Sequence, residues 1–502
     1  MRNTTLTLTC LFLLAGSVHA AYWTSSDPGN WKDGSNWNTG AQPAPGVTIE
    51  FGVATWQGTC TVDANDIASN PTGILRGSSN GDPVSDYTYV DVTTGGVLDI
   101  GTFQQGYLNN TSFKEKFLVS GGTVTVQTLQ DSSGSGAGNS QLEVTAGSMT
   151  VTNGYYTPSV GFTRETSVSG TGKLDFLFQI ENSQISESWS VSDSGDLDVG
   201  DHWYTALHQA NTVNISASDN ATIDVGGVAE FSIRSGSSTT LDVSGNAQVN
   251  FAGGLRFGYG SGSTATMNIS GGTVTGTTIG IGWDAGASAT VNLTGGTLAP
   301  DSLWLLDPGG LIDITGGQIL LPTDWSAWVT NEVTDANSVS GGIIAFGGSG
   351  TVVWDYGVTN AGMTTITATN NLLAKNPSPA NGATDVPFSG TILAWDAGDG
   401  AASHDVYFGA DDPGNLAFQG NQAGTSFDPG DLLPSKTYFW RIDEQGNGAG
   451  TGLVWSFNAQ VIACDPPLLA DTNSDCVVDL LDFAQMVLEW LSCNWTDPAA
   501  CN

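Results

Sequence analysis

Near the end of this 502-residue chain, oxygen-bearing side chains recur at intervals suited to one hard cation. Asp471, Asn473, Asp475, Asp479 and Asp482 stand at positions 1, 3, 5, 9 and 12 of a short segment, and Val477 at position 7 can offer its backbone carbonyl. Calcium takes roughly six to eight oxygen ligands, and alternating carboxylates on a tight loop supply them, so Ca2+ is the expected cofactor. The competing reading is a solvated acidic loop. Such a loop needs an anchor. Residues 480–491 have helical periodicity, with Leu481, Ala484, Met486, Leu488 and Leu491 as an apolar stripe.

The cysteines gather around the same segment. Cys464, Cys476, Cys493 and Cys501 crowd the last residues, while Cys60 stands alone far upstream. In an exported chain, four cysteines at this spacing read as two disulfides stapling a piece too small for its own core. Three pairings are open. Cys476–Cys493 with Cys464–Cys501 is preferred, because the first ties the loop to the end of its helix. A zinc site is the alternative, disfavoured by the lack of histidine there. Export itself is read from residues 1–20. Arg2 gives a positive start, 6–15 an apolar stretch containing Cys10, and Val18-His-Ala20 a small-residue cleavage pattern. That stretch is too short to span a bilayer, and no later one approaches ~20 apolar residues. The expected location is secreted, extracellular or cell-surface.

Upstream, a phrase repeats: Ile269-Ser-Gly-Gly-Thr-Val274, Leu293-Thr-Gly-Gly-Thr-Leu298, Ile314-Thr-Gly-Gly-Gln-Ile319, with looser copies from Val92 to Val339. The apolar residues before each Gly-rich turn keep a period of about 24 residues over eleven rungs, with Ile215 as one of the markers. Within a rung, Ala265, Met267 and Ile269 alternate with Thr266 and Asn268, the period of a strand with one buried face. Two or three short strands per period make one coil of a stacked fold. The predicted class is mostly β: a parallel β-solenoid rod over 21–370, then a β-sandwich module, then a small calcium-loop and helix tail. The stretch carrying Trp23, Trp31 and Trp37 is out of phase and reads as a bulky cap on the solenoid end, with a Trp-lined sugar platform as the alternative.

Composition shifts near residue 370. A linker is expected at 371–375, beside the polar, Pro-rich run 375–382. Strands then follow around Trp395, at 405–408, 437–442 and 454–457, giving a sandwich over 376–460.

Three resemblances attach to these residues. The segment around Trp395 and Leu433-Pro-Ser-Lys-Thr-Tyr-Phe-Trp440 resembles a fibronectin type III module, which implies a spacer or interaction role and brings no catalytic residues. The Asp471–Asp482 spacing resembles an EF-hand-type calcium loop, and loop plus helix, over 464–502, resembles one half of a dockerin. That implies a cohesin-like or cell-surface protein partner. Cys476 stands where such loops have Gly, and one loop is present where dockerins carry two. The repeats resemble autotransporter-like β-strand repeats of modular exported bacterial proteins.

The chain has 49 acidic and 12 basic residues, a formal net charge of −37. That disfavours nucleic acid and anionic lipid as partners and leaves divalent cations and neutral glycans. A polysaccharide lyase on this fold needs a Lys or Arg base beside carboxylates, and a hydrolase needs paired carboxylates. Arg164, Lys173, Arg234 and Arg256 fall in no recognisable constellation, Asp201-His-Trp203 reads as a turn, and His208 stands alone nearby. Asp411-Asp412 falls in a sandwich loop. No catalytic residue is assigned. The expected function is a non-catalytic structural or adhesive protein with a calcium-stabilised tail. The alternative is a polysaccharide-binding or polysaccharide-degrading β-helix protein recruited to a complex by that tail. A groove lined by Asp, Arg or aromatic residues would favour the second, and uniform Thr/Ser/Asn ladders the first.

Overall fold

The computed structural model describes residues 21–24, 28–51, 59–64, 67–77, 87–105, 114–131, 139–153, 155–156, 163–181, 186–206, 211–306, 309–336, 341–446, 451–461, 470–472 and 478–489. The chain is mostly β, with 57% strand against 5% helix. It divides into two compact units, one of residues up to 348 with 352–368, the other of 349–351 with 369–502.

The first unit is a parallel β-solenoid of about nine turns. One turn consists of the strands Thr264–Ile269, Thr273–Gly276 and Ile279–Ile281. Each pairs in parallel with its counterpart in the next turn: Thr264 with Ser288, Val274 with Leu298, Ile279 with Leu303. Three sheets therefore run along the solenoid, called here first, second and third in chain order. Ala265, Met267, Ile269, Val274, Ile279 and Ile281 are all buried, as the alternation predicted. The phase is more regular than the sequence markers suggested. Ile215 pairs with Trp189, and the residue in register with Val191 and Val243 is Ala217. A small alanine at the marker position disguised an even spacing.

Each recurring Gly-Gly phrase turns the corner between the first and second sheets. Gly296 has φ of 66°, and a Cβ there would stand 2.6 Å from the backbone of Gly271 in the turn before. Both the left-handed backbone and the close stacking demand glycine. At the same corner in other turns Asp193 and Asp219 adopt φ of 57° and 59°, a region Asp tolerates better than most side chains. The Asp219 carboxylate accepts the Asp193 N–H at 3.3 Å.

The Trp-rich N-terminal stretch is continuous with the solenoid. Ala21–Tyr22 pairs in parallel with Thr48–Phe51, and Gly29–Asn30 with Cys60–Val62. Trp23, Trp31 and Trp37 are buried, with Trp37 edge-on to both others at 5.1 and 5.2 Å. They fill the end of the core and offer no platform. Cys60 is fully buried. At the other end Gly342–Ala345 extends the first sheet in parallel, while Met363–Asn370 pairs antiparallel with the second-sheet part of Gly310–Pro322. The helix Ser326–Ala336 follows that last long strand.

The second unit holds a three-stranded sheet, with Leu393–Asp396 antiparallel to both Lys375–Ser378 and Ser426–Phe427. It also holds a five-stranded sheet of Ala383–Val386, Val454–Ala459, Thr437–Gln445, Ser403–Ala410 and Ala417–Gln422. Leu393, Trp395, Val406, Trp440, Ile442 and Phe457 share one apolar cluster. The Pro-rich run expected beside a linker opens with the strand Lys375–Ser378. His404 and Glu444, both buried, pair inside this unit, and the Glu444 carboxylate also accepts the Gly398 N–H at 2.7 Å.

Candidate functional site

Stacking in register carries each outward side chain over its counterpart one turn away, so chemistry scattered at intervals of about 24 residues is collected into rows. On the first sheet the row is amide and hydroxyl: Asn268 donates to Asp242 and Asn292 donates to Asn268, each at 2.7 Å. Such ladders satisfy their own donors and acceptors along the stack.

On the second sheet the row is charged. Lys173 stands over Ser148 and under Asp196, and Asp175 under Asp198 and then Asp224. The Lys173 amine lies 3.3 Å from Asp175, 2.9 Å from Asp196 and 2.6 Å from Asp198. Carboxylate oxygens of Asp196, Asp198 and Asp224 lie within 4.8 Å of one another. Sequence reading missed this constellation because its members come from three turns. Its protonation runs against base chemistry. Hydrogen bonds to Asp198 and then Asp196 raise the Lys173 pKa above its ordinary value, holding the amine as a cation. Burial, with the neighbouring Asp198, pushes Asp175 upward against the pull of Lys173. Burial also pushes on Asp196, but hydrogen bonds from Thr222 and Lys173 outweigh it and hold its pKa low. A catalytic lysine needs the opposite shift. The ammonium contacts Asp196 and Asp198, two of the three carboxylates that come within metal-ligand reach of one another.

On the third sheet the row is mixed: Tyr204, Glu230, Arg256, Gly280 and Trp304 stand in register. Arg256 pairs with Glu230 and lies 5.1 Å from the Trp283 ring centre and 5.5 Å from that of Tyr259. Trp283 and Trp304 are nearly parallel, at 23°, with centres 6.4 Å apart. His202 stacks on Tyr204 at 5.4 Å and contacts Asp201 at 2.5 Å. Burial, followed by the charges of Glu230, Asp201 and Glu181, raises the Tyr204 phenol.

Arg164 faces inward and forms a buried pair with Glu187 at 2.7 Å. Arg234 lies in the bend between the third strand Ala229–Phe231 and the next turn's first strand Ser238–Val243. His208 lies outside the described residues. Asp411 sits in a loop of the second unit and pairs with Lys436 at 2.9 Å.

Of the expected calcium loop, Asp471, Asp479 and Asp482 are described, while Asn473, Asp475 and Val477 lie outside the described residues, as do Cys464, Cys476, Cys493, Cys501 and residues 1–20. Asp482 lies in the first turn of the helix Leu480–Glu489 and is buried. One carboxylate oxygen accepts the Thr472 N–H at 2.7 Å and the other the Asp479 N–H at 2.8 Å. It thus ties the start of the segment to the helix entry, where the helix dipole favours negative charge. Carboxylate, amide and backbone oxygens are the donors a hard ion such as Ca2+ takes. Of the predicted apolar stripe, Ala484 and Met486 are exposed.

No helix among the described residues is long and apolar enough to cross a membrane. No family model matches the chain, and no curated protein or solved structure matches it. What fold and rows define together is a parallel β-solenoid with two polar ladders and one aromatic and charged face.

Proposed function

We propose that this is an exported, non-catalytic structural or adhesive protein whose solenoid is a rigid extracellular rod. The observation that supports the reading is the second-sheet cluster. The lysine best placed beside carboxylates is held as a cation, so it braces the stack and cannot take a proton. The self-satisfied Asn ladder of the first sheet is scaffold of the same kind.

In this reading residues 376–460 are a fibronectin type III-like sandwich that sets distance. The Tyr438 hydroxyl receiving the Leu433 N–H at 2.7 Å supports that resemblance. Residues 464–502 are a dockerin-like tail, anchored or assembled through a cohesin-like or cell-surface partner when Ca2+ is bound by Asp471, Asn473, Asp475, Val477, Asp479 and Asp482. The Cys464, Cys476, Cys493 and Cys501 disulfides staple it. The described Asp482 contacts are compatible with such a loop.

The test is an activity screen of the mature protein on neutral and uronate-containing polysaccharides, with and without calcium, following new reducing ends and unsaturated uronates. No turnover is expected. Turnover abolished by Lys173→Met would overturn the reading.

A further inference from the structure

The third face supplies what the other two lack, and we propose that it binds a neutral polysaccharide chain lying along the solenoid axis, through Trp283, Trp304, Arg256 and Glu230. This goes beyond the rod assignment and does not depend on the absence of catalysis.

Three observations carry it. Trp304 is 53% exposed, although an indole on a coil face could have been a Thr or Ser as elsewhere. Its N–H is held by the Ser302 hydroxyl at 2.8 Å, which fixes the ring. Second, Gly280 has no side chain in a row where every neighbour has one. A Cβ there would stand 2.3 Å from Cε3 and 2.5 Å from Cζ3 of Trp283. Its φ is not in the left-handed region, so it is the indole, not the backbone, that requires glycine. Trp283 thereby fills the rung between Arg256 and Trp304. Third, Arg256 is already clamped by Glu230 and by two rings. Its N–H groups and the carboxylate are pre-set as donors and acceptors beside the aromatic surface.

Beside these groups lie two recesses. One, of about 210 Å³, is bounded by Val228, Leu255, Arg256, Thr278 and Trp283. The other, of about 340 Å³, lies between Trp304, Leu303, Leu305, Trp325 and Trp328. Trp304 thus links Trp283 to a second indole pair, Trp325 and Trp328, themselves edge-on at 5.4 Å.

The chemistry selects the occupant. Pyranose rings present a C–H face to an indole and hydroxyls at their edge, which suits parallel rings flanked by a fixed cation and carboxylate. Successive turns rise by ~4.8 Å, close to the length of one sugar in an extended chain, so consecutive sugars meet consecutive rungs. Glu181, Asp201 and Glu230 on or beside the row, and the net charge of −37, repel uronates and sulfated chains.

The experiment is affinity electrophoresis of the full mature chain in gels containing xylan, mixed-linkage β-glucan or galactomannan, with polygalacturonate and alginate as the acidic set. Retardation is expected in at least one neutral gel and in neither acidic gel. Trp304→Ala should weaken it about tenfold or more, with unchanged circular dichroism because the ring is half outside the fold. Trp304→Tyr should restore part of it, and Gly280→Ala, by displacing Trp283, should weaken it similarly. Retardation in no neutral gel, equal retardation of Trp304→Ala, or preference for an acidic polymer would overturn the proposal. So would self-association that Trp304→Ala abolishes, which would make a second copy the occupant. Turnover of a bound polymer would sink the non-catalytic reading and leave the strip standing.

Discussion

Removing the Glu187 carboxylate should be among the most damaging single changes in the solenoid. Arg164 and Glu187 occupy inward positions of the adjacent strands Thr163–Val168 and Ser186–Val191, directly in register. Both are almost wholly buried, their charges meet at 2.7 Å, and the Trp189 indole donates to the second Glu187 oxygen at 3.1 Å. Burial lowers the Arg164 pKa while Glu187 opposes it, the mark of a cation dependent on its partner. Glu187→Ala removes two hydrogen bonds to charge, about 1.5–3 kcal/mol each when net, and takes the opposite charge away from a buried guanidinium. The expected loss is ~3–5 kcal/mol, the usual cost of breaking a buried pair from one side. Arg164→Met with Glu187→Leu should recover most of it, because an apolar pair of similar volume escapes the desolvation cost. Stability in a stacked fold is largely nearest-neighbour. Hydrogen exchange should therefore speed up in residues 139–199 of the single variant and change little in 264–305. Denaturant midpoints with exchange mass spectrometry provide both readouts. A single variant within ~1 kcal/mol of the parent, or a double variant no better than the single, would refute the argument.

Lys173→Met should cost only about 0.5–1 kcal/mol at neutral pH, since the amine is partly exposed and screened. Because its folded pKa is raised, its contribution is complete below the ordinary lysine value and fades as pH rises through the folded one; thermal melts of parent and variant should differ at neutral pH and converge at strongly alkaline pH. Gly296→Ala should destabilise by at least ~1–2 kcal/mol, because φ is left-handed and the new methyl meets Gly271, and a neutral result in denaturant titration would contradict the stacking. Asp471→Ala with Asp475→Ala should abolish calcium binding in calorimetry and leave the solenoid melt unchanged, whereas retained affinity would reject the loop. Asp482→Ala should loosen the tail helix by ~1 kcal/mol through its lost contacts to Thr472 and Asp479, seen as faster exchange in 480–489.

The solenoid was legible because alternation and the Gly-Gly phrase are local signals that say the same thing in every turn. Ala265, Met267 and Ile269 could be placed inside from five residues alone. Inward Arg164 and Glu187 could not, since each violates the pattern singly and meets its opposite charge only through stacking. The same limit hid the charged and aromatic rows. Lys173 meets Asp196 and Asp198, and Arg256 meets Glu230, only through register between turns. Trp283 is harder still, as it takes the rung of Gly280 from the corner beyond it. One signal was available: an isolated glycine in a strand, Ile279-Gly-Ile281, marks a close approach. The Trp-rich start is out of phase with the repeat, and its short strands nevertheless pair in parallel.

On the second sheet the strand Met363–Asn370 runs against the strands stacked before it, while Gly342–Ala345 continues the first sheet in parallel. A rod whose last rung kept the common direction would offer the next molecule a ready template, and copies could add end to end without limit. Reversal gives that edge the wrong hydrogen-bond spacing for another turn. Along the second sheet the length of the solenoid is thus written into the chain itself, like marks on a ruler, and extending it there means inserting whole turns upstream of residue 310.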